Sequence, residues 1–464
     1  MATESGVDRG KLSRLAERER AAFAERHPRS AAAYGRADHL FGRVPMTWMN
    51  KTAAGFPVYL RTARGNRLTD LDGNEFIDFC LGDTGAMAGH SPAAVVAAVT
   101  RRLGELGGAT TMLPTEDAAV VGAELASRFG LPFWSFALTA TDANRWAIRL
   151  LRAVTGRPKV LVNSYCYHGS VDESLIVVGP GGHGRSREGN VGAPVDVTET
   201  SRVAEFNDLA MLERELAHGD VAAVLMEPAL TNIGIVLPEP GYLTGVRELT
   251  RKYGTYLIND ETHTFSAGPG GATRFWDLAP DVLTIGKAIG GGVPVGAYGL
   301  SAELADALTG RADLDLVDMG GVGGTLAGNP VSMAATRATL EEVLTEGAFA
   351  TMITTASAFA DGIQKIISAY GVPWSVSRLG ARVEYRFADP APRNGTESAA
   401  SADAELEDFL HVYLASRGVL LTPFHNMALM CPATTLDDVA RHHEIFDEAL
   451  SELTGSQRSW PVRR

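Results

Sequence analysis

Residues 281–299 read DVLTIGKAIGGGVPVGAYG. A short apolar run ends in Lys287, and three consecutive glycines follow within five residues. Lysine is rarely placed against a buried run, because stripping water from an ammonium is costly. A solvated lysine in a glycine-rich loop is the ordinary explanation. The alternative is an amine held in a dry site for carbonyl chemistry, which a guanidinium cannot perform. The chain contains only six lysines, at 11, 51, 159, 252, 287 and 365, among 42 basic residues. Five of them stand beside polar or turn residues, whereas Lys287 follows the strand-like VLTIG. Where arginine carries the surface charge, a lysine kept in such a position points to an amine function.

Outward from this stretch, apolar runs alternate with helical segments. KVLVNSYCYHG, AAVLMEP, TYLINDE and DVLTIGK are short and end in polar or small residues. DANRWAIRLLRAVTG and GYLTGVRELTRKYG lie among them with helical spacing. This alternation predicts an α/β fold with a mostly parallel sheet covered on both faces. On such sheets ligands bind at the carboxyl ends of strands, and both Asp260 of LINDE and Lys287 fall at such ends. Residues 56–80 alternate apolar and polar around RGN and DGN turns, which predicts a small antiparallel meander. After Val331 the pattern turns helical, then returns to short strands and a last helix, as in a separate α+β domain. The expected organisation is an N-terminal helical arm over 1–40, a first part of a small domain over 41–92, a large domain over 93–335, and a C-terminal small domain over 336–464. The polar stretch 388–405 reads as a loop.

Composition bounds the function. The 464 residues carry a formal charge of −13, which argues against nucleic acid or an anionic membrane as partner. No apolar run reaches membrane-spanning length. The N-terminus is polar and lacks the apolar core of a signal peptide. Cys80, Cys166 and Cys431 form neither a disulfide framework nor a zinc-type spacing, which fits a reduced, cytoplasmic protein.

Three further constellations bear on chemistry. Thr139, Ala140 and Thr141 stand between the strand-like FWSFAL and a helix, where converging N–H groups and the helix dipole suit a phosphate. An ordinary capped turn fits that motif equally well. SYCYHGS places Tyr165, Tyr167 and His168 after a strand, where a ring can stack on a planar cofactor. GGTLAGNP puts Thr325 in a glycine turn before a helix. Asp260 with Lys287 completes the set: a lysine holds an aldehyde cofactor as a Schiff base while a carboxylate keeps a pyridine nitrogen protonated.

Taken in order, DLDGNEFIDF, GHSPAAVVAAV, AIRLLRAVTGR, YHG, VLMEPALTNIG, LINDE, APDVLTIGKAIGGGVPVGAYG and GTLAGNP resemble the class III (ω-type) pyridoxal-phosphate aminotransferases of fold type I. Within that class the chain is most similar to the glutamate-1-semialdehyde 2,1-aminomutase branch. The resemblance implies a large domain with a seven-stranded-type, mostly parallel sheet, plus a smaller α+β domain. It implies pyridoxal 5'-phosphate linked to Lys287, with Asp260 on the ring nitrogen and Ala140 and Thr141 on the phosphate. Tyr167 would stack on the ring and Asn232 would face its phenolic oxygen. Thr325 would reach the phosphate of a neighbouring subunit, which implies a homodimer. Residues 178–194 resemble the branch's mobile lid; a plain surface loop is the other reading.

The chain also departs from that pattern. The family's phosphate turn reads Ser-Gly-Thr-Glu-Ala, here Thr139-Ala140-Thr141-Asp142-Ala143. Thr262 replaces a valine on the ring face. Met49, beside Trp48, stands about where the mutase branch has an arginine. Around LTPFHNMALM, His425, Asn426 and Met427 appear where the branch has a glutamate. Trp48, Met49 and His425 are thus the expected substrate contacts, on an apolar wall with Phe424 and Met427. Arg43 and Arg382 remain as candidate carboxylate partners. The expected activity is amino-group transfer between an amine or amino acid and a keto or aldehyde acceptor. An aminomutase or racemase on the same cofactor is the alternative, and a binding module without turnover the alternative of another class.

Overall fold

The computed structural model describes residues 6–314 and 320–456. The first five residues of the N-terminal arm and the last eight of the C-terminal domain lie outside them. The chain divides into two units. One comprises Met1–Ser91, Ala350–Ala391 and Ala400–Arg464; the other comprises Pro92–Phe349 and Pro392–Ala399.

The second unit is built on a seven-stranded sheet. Its strands are β1 (Phe133–Ala137), β2 (Lys159–Asn163), β3 (Ser201–Ala204), β4 (Val221–Met226), β5 (Tyr256–Asp260), β6 (Val282–Gly286) and β7 (Gly296–Leu300). They lie in the order β1-β7-β6-β5-β4-β2-β3. β7 runs antiparallel to both of its neighbours, and the remaining pairs are parallel. Every residue of β4 and β6 is buried, as sequences with helices on both faces require. Helix α1 (Ala140–Thr155) buries Ala143, Asn144, Ala147, Ile148, Leu150 and Leu151 on one stripe. Thr139 caps its start and Gly156, at φ 66°, ends it in the left-handed region. The core of this unit gathers Ile148, Leu151, Val162, Leu225, Ile258 and Val282 around the sheet.

The first unit contains the expected meander, Leu60–Arg64, Arg67–Asp70 and Glu75–Asp78, joined in parallel by Val419–Leu420. A second antiparallel sheet joins Ser375–Leu379, Arg382–Arg386 and Met427–Leu429. The helix Arg9–Arg26 packs on the helix Ala404–Ala415 within this unit and buries Leu12, Ala16 and Phe23. The polar stretch expected as a loop contains the short helix Gly395–Ala400, and residues 392–399 belong to the other unit. The expected lid, residues 178–194, is partly regular. Ile176–Val178 and Gly184–Ser186 form a hairpin, and Arg187 donates to the Cys166 carbonyl beyond it.

Candidate active site

Asp260 and Lys287 stand at the carboxyl ends of adjacent strands of the larger unit, the edge where parallel sheets bind ligands. Asp260 is the last residue of β5 and lies in register with Thr284 of the adjacent parallel strand β6. Lys287 therefore stands three residues beyond that pairing, at the first position of a short 3-10 turn, Lys287–Gly290. Its φ of 49° is left-handed, an uncommon backbone for a residue with a side chain. Its Nζ lies 2.9 Å from Nε2 of His263.

Asp260 is 2% exposed and its carboxylate is fully engaged. Asn144 on α1 donates to Oδ2 at 2.9 Å, and Nδ1 of His168 lies 2.9 Å from the same oxygen. The Thr262 N–H donates to Oδ1 at 3.0 Å. Asn144 is itself held by its Oδ1, which accepts from the Thr284 hydroxyl at 2.6 Å. Burial alone would raise the Asp260 carboxyl, but the hydrogen bond and charge of His168, with Thr262 and Asn144, hold it below the usual carboxylate range. For His168 burial disfavours the charged ring, while Cys166 and the Asp260 carboxylate raise it well above the ordinary imidazole value. The result is a buried carboxylate kept ionised.

The turn after Asp260 is rigid for a local reason. Glu261, fully buried, accepts from the Thr264 hydroxyl and from the N–H groups of Ala272 and Thr273. Its own N–H donates to the Thr284 carbonyl at 2.8 Å. His263, 5% exposed, is thereby fixed ahead of the 3-10 turn Thr264–Ala267.

Ala140 and Thr141 are the first two residues of α1, and the Thr139 hydroxyl accepts from the Asp142 N–H. Two glycines allow this helix start to be approached. A Cβ on Gly296 of β7 would stand 2.4 Å from the Thr139 carbonyl oxygen. One on Gly169, at φ 81°, would stand 1.9 Å from the Thr141 hydroxyl. The Tyr-His-Gly loop is thus pressed against the helix start, and half-buried Tyr167 sits in that loop. Asn232 is half-buried in a tight loop closed by the Leu230–Val236 bridge. Thr325 is exposed in the turn preceding the helix Pro330–Ala338, capped by Asn329.

In the other unit, Trp48 and Met49 are exposed on a 3-10 turn, with the Trp48 ring 5.8 Å edge-on from Phe424. His425 is buried, its Nδ1 3.5 Å from Oε1 of Glu384. Glu384 lies on the neighbouring strand, where it pairs with Met427. Arg382 is wholly buried and donates to Thr84, while Arg43 pairs with Asp38 at the surface.

Asn144, Thr284 and His263 carried no role in the sequence reading, and His168 entered it only as one of the rings that can stack on a planar cofactor. One signal was present for Asn144: an amide on the apolar stripe of α1 needs a partner inside.

This donor set fits pyridoxal phosphate. It offers an amine for an aldehyde, a carboxylate kept ionised for a ring cation, and a capped helix start with a hydroxyl for a phosphate. Comparison with known proteins agrees. Residues 48–450 match the aminotransferase class-III family. Glutamate-1-semialdehyde 2,1-aminomutase 2 of Brevibacillus brevis is 34% identical over 410 residues, 87% of this chain and 93% of that protein. The crystal structure of a glutamate-1-semialdehyde-aminomutase from Pseudomonas aeruginosa PAO1, also solved with PMP, is 46% identical with a TM-score of 0.93. It spans 97% of this chain and 100% of its own. An omega-transaminase from Sphaerobacter thermophilus is 29% identical with a TM-score of 0.83, over 91% of this chain and 97% of its own. The sheet, the strand-end site and these matches together place the chain in the aminotransferase class-III family, with the fold type I architecture of pyridoxal-phosphate enzymes.

Proposed function

We propose that the protein is a pyridoxal 5'-phosphate-dependent aminotransferase, moving an amino group from an amine or amino acid to a keto or aldehyde acceptor. The observation that carries this reading is Lys287 just beyond β6, with the buried Asp260, bonded by Asn144 and His168, ending the adjacent strand β5. The bound cofactor supplies an electron-withdrawing ring that acidifies the carbon bearing the amino group. Lys287 would anchor it and, when freed, would take up and return a proton at Nζ. Asp260 keeps the ring nitrogen protonated, and the Asn144–His168 pair keeps Asp260 charged. Ala140 and Thr141 would hold the phosphate, Tyr167 would cover the ring and Asn232 would face its oxygen.

A transaminase, rather than an aminomutase, is favoured by exposed Trp48 and Met49 where the mutase branch has an arginine; an apolar wall makes no bidentate bond to a carboxylate. The second reading, intramolecular amino transfer of the glutamate-1-semialdehyde type, is favoured by the names of the 34% and 46% identical relatives. The active unit is a homodimer. Val96, Leu103, Leu106, Met112 and Leu113 form an exposed apolar stretch suited to a second copy, and exposed Thr325 is free to serve the partner's phosphate site. Free Cys80, Cys166 and Cys431 fit a cytoplasmic enzyme. No helix among the described residues is long and apolar enough to cross a membrane.

The test has two stages. Borohydride reduction with bound cofactor, then peptide mapping, should label Lys287; another lysine, or none, refutes the reading. A panel of amines and amino acids is then assayed with and without a keto acid. Turnover only with the acceptor supports a transaminase, and turnover without it supports the mutase or, with inverted chirality, a racemase. Binding without conversion of any amine reveals a module without turnover.

A further inference from the structure

The contact between Lys287 and His263 is not required by the role assigned above to either strand end. His263 lies three residues after Asp260 and its side chain reaches back to the amine. The backbone at both ends of the contact is constrained. His263 is held by the turn that Glu261 clamps through Thr264, Ala272 and Thr273, and the Ser266 N–H donates to its carbonyl. Lys287 is aimed by a left-handed backbone at φ 49°, a conformation that costs energy unless the surroundings impose it. An ammonium has only donors, so with Lys287 protonated the Nε2 atom 2.9 Å away is the acceptor. An amine attacks a carbonyl only after losing that proton.

We propose that His263 is a catalytic residue that takes the proton of the Lys287 ammonium through Nε2 and so readies the amine for its carbonyl partner. In this step an Nζ–H bond breaks and an Nε2–H bond forms. The electron pair of the broken bond stays on Nζ, and the positive charge passes to the imidazole; nothing is oxidised or reduced. The reverse transfer restores the ammonium. The proposal rests on the cofactor reading given above.

The experiment follows covalent capture rather than turnover. Full-length protein freed of cofactor is mixed with pyridoxal 5'-phosphate, and samples are quenched with borohydride over time and mapped for the Lys287 peptide. Pyridoxamine 5'-phosphate, which has no aldehyde, is titrated in parallel as a measure of the intact pocket. His263→Gln keeps a hydrogen-bonding group near the Nε2 position but takes up no proton; His263→Ala removes both properties. The expected result is native affinity for pyridoxamine 5'-phosphate with capture slowed roughly 10²-fold in both variants, in the range of general acid–base contributions. Native capture by His263→Gln overturns the proposal, because the side chain then only orients the lysine. Native capture by both variants also overturns it. If His263→Ala loses the pocket, His263→Gln alone decides. Failure of the unmodified protein to capture the aldehyde at Lys287 refutes the cofactor reading itself, whereas native capture with unaffected variants refutes only the role of His263.

Discussion

Replacing Asn144 by alanine tests the network that keeps Asp260 charged. Asn144 is wholly buried and makes three hydrogen bonds. It donates to Asp260 at 2.9 Å and to the His168 carbonyl at 3.2 Å, and it accepts from Thr284 at 2.6 Å. A bond to a charged group contributes about 1.5–3 kcal/mol and each neutral one about 0.5–1.5 kcal/mol, so Asn144→Ala should cost about 4 kcal/mol. Part of that cost is the buried Thr284 hydroxyl left without its acceptor. Urea unfolding of the full chain without cofactor reads the change as a shift in midpoint at constant slope. The companion variant Thr284→Val removes the same 2.6 Å bond from the other side. The double variant should be less destabilised than the two single variants together by about 1 kcal/mol, since neighbours sharing a bond are not additive. A loss under about 1 kcal/mol in Asn144→Ala, or strict additivity with Thr284→Val, would refute the network as a source of rigidity.

Other expectations are narrower. Asp260→Asn should lower kcat roughly 10²-fold or more while pyridoxamine 5'-phosphate affinity changes far less, because the ring's electron demand is lost before its anchoring; equal losses in both would count against the assignment. Gly169→Ala places a methyl group on the Thr141 hydroxyl at a positive φ, so stability should fall by about 2 kcal/mol or more, and phosphate-dependent cofactor affinity should fall with it. Glu407 supplies a pH test. Burial first, with the charges of Glu384 and Asp408 adding to it against His425 and Arg386, pushes its carboxyl from 4.5 up to about 7. Between those values the folded protein binds more protons than the unfolded chain, so stability declines as pH rises through the window. Glu407→Gln should therefore gain about 2 kcal/mol over the native protein above pH 7 and nothing below pH 4.5, measured by urea midpoints across pH.

Much of the fold was legible because apolar period reports burial directly. VAAVLM and VLTIG carry no polar face, and they form the fully buried strands β4 and β6. The carboxyl ends of such strands were then the natural places for Asp260 and Lys287. The meander over 56–80 was legible through its turn residues. Long-range packing was less so. The helix Arg9–Arg26 looks amphipathic in isolation, but nothing in its own spacing says that its partner is Ala404–Ala415, nearly four hundred residues later. Residues 178–194 read as glycine-rich loop, yet Gly184–Ser186 pairs with Ile176–Val178. Strand pairing is set by the neighbour as much as by propensity.

The sequence by itself determined the strand that ends in Asp260, the lysine that follows the next one, and the helix start that suits a phosphate. Each is a property of a few consecutive residues, so local patterning suffices. Only the tertiary structure decided what surrounds those groups. Asn144 and His168 meet Asp260 from a helix and a loop, Thr284 holds Asn144 from a neighbouring strand, and Glu384 approaches His425. The imidazole of His263 meets Lys287 from a separate strand end. The physical reason is that charge and proton affinity in a buried site depend on atoms within about 4–6 Å, whatever their distance along the chain. Those neighbours exist only once the sheet has closed.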